Sequence, residues 1–185
     1  MLRLSSQDKQ LLLTIARGAV SSHLGEASFQ KPKIISESLN SPSGVFVSIH
    51  QEAQLRGCIG RIEAQSPLHE TTAQCAVSAA VSDPRFPPVR IEELEALSFE
   101  ISVLSVPEKV VSLDGIEVGR HGLLVEQDGK KGLLLPQVAV HCGWDRSEFL
   151  SQTCVKAGLR AAAWKSDAEI FAFDALVFAE GIPVL

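Results

Sequence analysis

Apolar residues recur along the chain at two different spacings, which separate predicted helices from predicted strands. Steps of three and four residues over residues 11–20 predict a first helix that Ser6 caps and that ends near Gly25. A stripe of mostly small residues over 68–80 predicts a second helix, which small side chains allow to lie close to a sheet. Asp145 and Glu148 have the spacing of a capping box, which predicts that Asp145 caps a third helix.

Strands are predicted where polar and apolar residues alternate. Residues 45–62 predict one hairpin, and residues 121–135 predict a second around the Asp-Gly pair at 128–129, which is typical of a type I′ turn. The clearest alternation covers residues 97–103 and places Glu100 on a polar face. Because these elements follow no strict β-α-β order, the sequence predicts an α+β fold with a mixed, largely antiparallel sheet and flanking helices.

Length and composition indicate a globular protein. The chain has 185 residues, of which 45% are hydrophobic and 21% are charged, so it is long enough to bury a core and too apolar for a disordered chain. This size suits one domain or two small lobes that share a core. We expect a single domain over residues 1–185, built as two lobes sharing one core.

Charge and cysteine usage narrow the possible environments. The formal net charge of −5 repels phosphate backbones and gives no case for wholesale nucleic-acid binding, although a local arginine cluster would still bind an anion. No apolar run approaches the roughly 20 residues needed to span a bilayer, and the first ten residues lack a signal peptide's apolar region. We therefore expect a cytoplasmic protein without membrane contact. Four widely spaced cysteines are expected to be reduced thiols: Cys58, Cys75, Cys142 and Cys154.

The hexapeptide Leu-Arg-Gly-Cys-Ile-Gly at residues 55–60 is the most chemically pointed segment. Glycine is unfavourable inside a strand, so Gly57 and Gly60 indicate a bulge or the close approach of another group to the backbone. One interpretation is a reactive Cys58 thiol beside exposed N–H groups, with Arg56 stabilising a thiolate or binding an anion. The other is a small buried cysteine packed under a helix.

Further candidates lie outside the hexapeptide. The proline-rich loop over residues 83–88 would present Asp83 and Arg85 at a pocket rim, or the two side chains would simply pair within the turn. Gln137 follows a predicted buried strand, where its side-chain amide would form hydrogen bonds either with a ligand or with the main chain of a turn. His141 and Cys142 would point to opposite faces of a strand, so we expect no metal site.

These segments together resemble the AMMECR domain family, whose hallmark is the hexapeptide at residues 55–60. The similarity runs from about Ser6 to about Glu180 and is carried by residues 55–60, 83–86, 100–104, 132–139, 143–145, 149–150 and 154–159. It implies an α+β fold of two lobes, the larger built around a mixed or antiparallel sheet. It brings no settled activity or cofactor, and it leaves open whether the protein is an enzyme.

The resemblance also suggests a pathway. Bacterial members of the family are often encoded beside a Memo-like protein and a radical S-adenosylmethionine protein, a neighbourhood that indicates a modification system. Our first hypothesis is a component of such a pathway, with a pocket formed by Cys58, Arg56, Asp83, Arg85 and Gln137. Cys58 would be nucleophile, covalent carrier or ligand contact.

Two other hypotheses use the same residues differently. The chain would be a non-enzymatic module that binds a protein or a nucleic acid through Arg56, Arg61, Arg85 and Arg90. Alternatively, it would be a structural subunit in which the glycines serve packing alone and Cys58 resists alkylation in the native state.

Overall fold

The computed structural model describes residues 3–26, 28–30, 32–63 and 65–181, which fall into two compact units. The N-terminal unit comprises the described parts of residues 2–103 and 176–185, and the C-terminal unit is residues 104–175. Along the chain the helices and strands are α1 (Ser6–Leu24), α2 (Glu37–Asn40), β1 (Val45–Gln51), β2 (Gln54–Arg61), α3 (Leu68–Val81), β3 (Leu97–Leu104), β4 (Glu108–Lys109), β5 (His121–Gln127), β6 (Lys130–Leu134), α4 (Pro136–Cys142), α5 (Arg146–Lys156) and β7 (Glu169–Ala179).

Helix α1 has strong signals at both ends. The Ser5 side chain accepts a hydrogen bond from the Asp8 N–H, and the Asp8 carboxylate accepts one from the Ser5 N–H. Gly25 ends the helix with a φ of 84°, a left-handed conformation that glycine adopts without strain. The predicted helix is confirmed, but its cap is Ser5 rather than Ser6, since the reciprocal bonding with Asp8 requires a spacing of three residues.

An antiparallel sheet with one buried face organises the N-terminal unit. Strand β1 pairs with β2 and with β3, and in this register Ser48 lies opposite both Cys58 and Glu100. The alternate residues of β1 and β3 are fully buried in a core to which α1 and α3 contribute. Each strand therefore has a core face and a polar face, and Cys58, Ser48 and Glu100 share the polar face.

The C-terminal unit is a second antiparallel arrangement with its own apolar cluster. Strand β5 pairs with β6 and with residues 169–174 of β7, which also pair with β4. Positive φ angles of 51° at Asp128 and 77° at Gly129 form the predicted hairpin turn. Helix α5 begins at the predicted Asp145 cap, whose carboxylate accepts the Glu148 N–H. The α+β fold with a largely antiparallel sheet is thus confirmed.

The buried apolar residues form one cluster in each unit, and a core shared by the two lobes stays a prediction. One detail differs from the prediction. His141 and Cys142 lie at the end of helix α4 rather than in a strand, since Pro136 begins a helix after β6. Among the described helices, none is long and apolar enough to cross a membrane.

Candidate functional site

Both glycines of the hexapeptide are required by packing. A Cβ atom at Gly57 would lie 2.1 Å from the carbonyl oxygen of Ala79 in α3. A Cβ atom at Gly60 would lie 2.2 Å from the ring of Phe46 on the neighbouring strand. The close approach to this backbone that the sequence predicts is confirmed, and the helix explains it at Gly57.

The loop after α3 binds the main chain of Cys58. The Cys58 N–H donates to Asp83 Oδ2 at 2.8 Å, and the Arg85 guanidinium donates to the Cys58 carbonyl oxygen at 3.2 Å. The N–H and the carbonyl group of Cys58 therefore both have partners in the loop over residues 83–88. An edge strand whose main-chain groups are covered in this way does not offer them to the strands of other chains. The sequence placed Asp83 and Arg85 near Cys58, and the structure brings the three together.

Asp83 is the electrostatic centre of this arrangement. Its side chain is only 2% exposed, and it accepts hydrogen bonds from the Arg85 main chain at 3.1 Å and from the guanidinium at 2.9 and 2.6 Å. These bonds with Arg85, together with the Cys58 N–H, hold the pKa of Asp83 far below its ordinary value. Arg85 itself is half-exposed and lies over the ring of Phe86. Asp83 is consequently ionised in the folded protein at neutral pH.

Arg56 is engaged by a different set of groups. Its guanidinium donates to the Glu93 carboxylate at 2.9 and 3.2 Å and to the Pro87 carbonyl oxygen at 2.8 Å. The side chains of Arg56 and Glu93 are 13% and 17% exposed. This bidentate pair fastens β2 to the segment after the proline-rich loop, a partner that sequence reasoning did not identify. A role for Arg56 in ligand binding stays a prediction.

The Cys58 thiol is half-buried on the polar face of the sheet. Ser48 Oγ donates a hydrogen bond to Cys58 Sγ at 3.3 Å, and Glu100 lies opposite Ser48 on the next strand. Burial raises the pKa of the Cys58 thiol above its ordinary value; the bond from Ser48 and the positive charge of Arg85 act in the opposite sense and offset only part of the rise. The resting group is therefore a neutral thiol rather than an activated thiolate.

Ser48 and Glu100 complete a row that crosses three strands. Sequence analysis placed Glu100 on a polar face but did not connect it with the hexapeptide. The signal for Ser48 was its position in a strand with period-two alternation, but the alternation does not reveal the register. Chemically, the row offers a thiol, a hydroxyl and a carboxylate at adjacent cross-strand positions.

The other candidates are distributed elsewhere. Gln137 is the second residue of α4 in the C-terminal unit, so its grouping with Cys58 stays a prediction. Cys75 and Cys154 are buried thiols, whereas Cys142 is exposed. Three cavities of about 320, 400 and 540 Å³ lie among the described residues, and Cys58 lines none of these three. Within the described residues, no group of three or more His, Cys, Asp and Glu side chains is arranged to hold a metal ion.

Comparisons with known proteins agree on one family. Residues 13–178 match the family described as AMMECR1. A protein of Thermofilum pendens is 44% identical over 98% of this chain and 93% of its own length, and Protein MK0488 of Methanopyrus kandleri is 42% identical over 98% and 92%. The crystal structure of the uncharacterized protein PH0010 from Pyrococcus horikoshii superposes with a TM-score of 0.86 at 41% identity, covering 93% of this chain and 91% of that one. This chain belongs to the AMMECR1 family.

Proposed function

We propose that this protein is a component of a cytoplasmic modification pathway and binds a ligand at the polar sheet face around Cys58, together with Memo-like and radical S-adenosylmethionine partner proteins. The single observation that carries the proposal is the row formed by Cys58, Ser48 and Glu100. A thiol, a hydroxyl and a carboxylate lie opposite one another on three strands of one sheet. Polar groups that converge in this way are typical of ligand sites.

The state of the thiol selects among the roles considered for Cys58. A nucleophile or a covalent carrier needs a thiolate, but burial raises the pKa of Cys58. A neutral thiol that accepts a hydrogen bond from Ser48 suits contact with a ligand instead. Asp83 and Arg85 then act as positioning residues, because they bind the main chain of Cys58 and fix where its side chain lies.

The proposal is tested by native alkylation, read cysteine by cysteine with mass spectrometry. Exposed Cys142 is the internal control, and it should be labelled fastest at every pH. A small-molecule fraction of a cell extract should slow the labelling of Cys58 and leave that of Cys142 unchanged. If the fraction slows neither or slows both equally, the ligand site is not at Cys58.

A genetic arm tests the pathway itself. Cys58→Ala should abolish pathway output in a strain that carries the neighbouring Memo-like and radical S-adenosylmethionine genes, whereas Cys142→Ser should not. Co-elution of the three purified proteins on size-exclusion chromatography tests the partnership. Full output from Cys58→Ala would remove the thiol from the function.

The arginine contacts favour this proposal over a nucleic-acid-binding module. Arg56 and Arg90 contact the same carboxylate of Glu93, and Arg85 is paired with Asp83, so two carboxylates offset most of the charge of these three arginines. A protein that releases counterions from phosphates shows a steep negative dependence of affinity on salt. We therefore expect a filter-binding titration to show no steep salt dependence, and a steep slope would favour the binding-module hypothesis.

A further inference from the structure

A cavity of about 400 Å³ lies within the C-terminal unit, and no residue of the proposed site lines it. It is bordered by residues 105–116 and by the beginning of β5 and the middle of β7. The volume is in the range of small-molecule sites, about 300–1,000 Å³. Its wall carries charged, hydrogen-bonding and apolar groups: Val106, Val111, Ile116, Arg120, His121 and Asp174.

Two residues that carry hydrogen-bond donors, Arg120 and His121, follow one another in the chain at the start of β5 and both line the cavity. Arg120 donates through Nε to Asp174 Oδ1 at 3.2 Å and through Nη1 to Glu117 Oε1 at 2.8 Å, which orients the guanidinium at the cavity. These contacts use only two of the five N–H groups that a guanidinium has. The remaining N–H groups of the guanidinium are thus able to bind a carboxylate as well.

The neighbouring His121 has a defined tautomer. Its Nδ1 accepts a hydrogen bond from the Glu117 main-chain N–H at 3.0 Å, so in the neutral imidazole the proton is on Nε2. His121 therefore offers an Nε2–H donor in the lining of the same cavity as the Arg120 guanidinium. Two N–H donors of this kind are complementary to the oxygen atoms of a carboxylate.

The same cavity is not a simple anion site. One guanidinium and two carboxylates, those of Glu117 and Asp174, leave this group with a net negative charge. The carboxylates of the cavity lining itself are those of Glu108 and Asp174, while Lys109 is paired with Glu169. A ligand that carried only negative charge would be repelled here, whereas an ammonium group would be attracted.

The rim of the cavity is apolar and exposed. Val106 is 82% exposed and Val111 is fully exposed, although both are β-branched residues that usually pack against other groups. A ligand with an apolar substituent would remove these two side chains from water. That burial is favourable for binding.

We propose that this cavity binds a small zwitterion with an aliphatic substituent, of the chemical class of an α-amino acid. The carboxylate binds Arg120 and the Nε2–H of His121, the ammonium group lies by Asp174 and Glu108, and the aliphatic group covers Val106 and Val111. The inference is independent of the proposed function, because no residue of the Cys58 row lines this cavity.

Isothermal titration calorimetry with three probes tests each end of the ligand. L-leucine should bind, N-acetyl-L-leucine lacks the ammonium group, and L-leucinamide lacks the carboxylate. Each of the last two should bind about tenfold or more weakly, since each leaves charged partners without a counterpart. Equal binding of leucine and leucinamide would overturn the carboxylate contact, and absence of saturable leucine binding would overturn the site.

Variants separate the recognition from general damage to the fold. Arg120→Gln should weaken leucine binding about tenfold or more but leave leucinamide binding largely unchanged. Arg160→Gln is the matched control, since Arg160 is an exposed arginine of the same unit outside the cavity lining. The circular dichroism spectrum should be unchanged in both variants. If both variants lose leucine affinity equally, Arg120 does not contact the ligand. Cys58→Ala should leave the affinities for all three probes unchanged.

Discussion

Replacing Asp83 by alanine tests the most connected interaction of the N-terminal unit. The variant removes a carboxylate that is 2% exposed and that binds the Cys58 N–H at 2.8 Å as well as the main chain and guanidinium of Arg85. The Cys58 amide would be left without its partner at the strand edge. The loop over residues 83–88 would lose its attachment to β2.

The magnitude follows from the environment of each partner. Removing one member of a buried ion pair costs about 3–5 kcal/mol, and a hydrogen bond to a charged group contributes about 1.5–3 kcal/mol. Arg85 is half-exposed, so solvent screens its charge and reduces the loss. We expect Asp83→Ala to lower the free energy of unfolding by about 2–4 kcal/mol.

The assay combines urea unfolding, followed by far-UV circular dichroism, with hydrogen exchange of the Cys58 amide. Asp114→Ala is the matched control: Asp114 also pairs with an arginine, Arg146, but its side chain is 94% exposed, so the cost should stay below about 1 kcal/mol. Asp83→Ala should also accelerate exchange at Cys58. Equal costs for the two variants, with unchanged exchange at Cys58, would refute the reasoning.

Two further predictions concern packing and pH. Gly57→Ala should lower the free energy of unfolding by about 1–3 kcal/mol in a urea titration, because its Cβ would lie 2.1 Å from the Ala79 carbonyl oxygen. The control is Gly115→Ala, whose Cβ meets open space and should change the free energy of unfolding by less than about 0.5 kcal/mol. Arg85 and Arg56 hold the pKa values of Asp83 and Glu93 below their ordinary 3.8 and 4.5. The stabilisation from these carboxylates is therefore fully present above about pH 5 and declines as the pH falls below it. Asp83→Asn should accordingly reduce the dependence of the free energy of unfolding on pH in acid. An unchanged acid slope would contradict this.

Local sequence patterns predicted most elements, because the signals for them lie within a few residues of one another. The helical spacing and the final glycine of α1, the Asp-Gly turn of the second hairpin and the alternation of β3 all act over short distances. Helix α4 was missed because seven residues after a strand carry too little periodicity to be separated from a turn. Helix α3 ends at Val81, two residues before Asp83-Pro84, where a proline cannot continue a helix.

The hexapeptide shows where such reasoning stops. Two glycines inside a strand indicated that some group approaches the backbone, but the sequence could not say that Ala79 of α3 is that group. Arg56 was expected to serve the thiol, yet it contacts Glu93, 37 positions away. The choice of partner depends on how the segment after α3 folds back over β2, which no local pattern encodes.

By itself, the sequence determined the α+β class, the faces of the main strands and the family resemblance, since residue periodicity and motif spacing carry that information directly. Only the tertiary structure decided that Cys58 lies opposite Ser48, that Asp83 and Arg85 bind its main chain, and that burial keeps its thiol neutral. Register, burial and ion pairing arise from contacts between segments distant in the chain. The chemical state of Cys58 is therefore a property of the fold rather than of the hexapeptide.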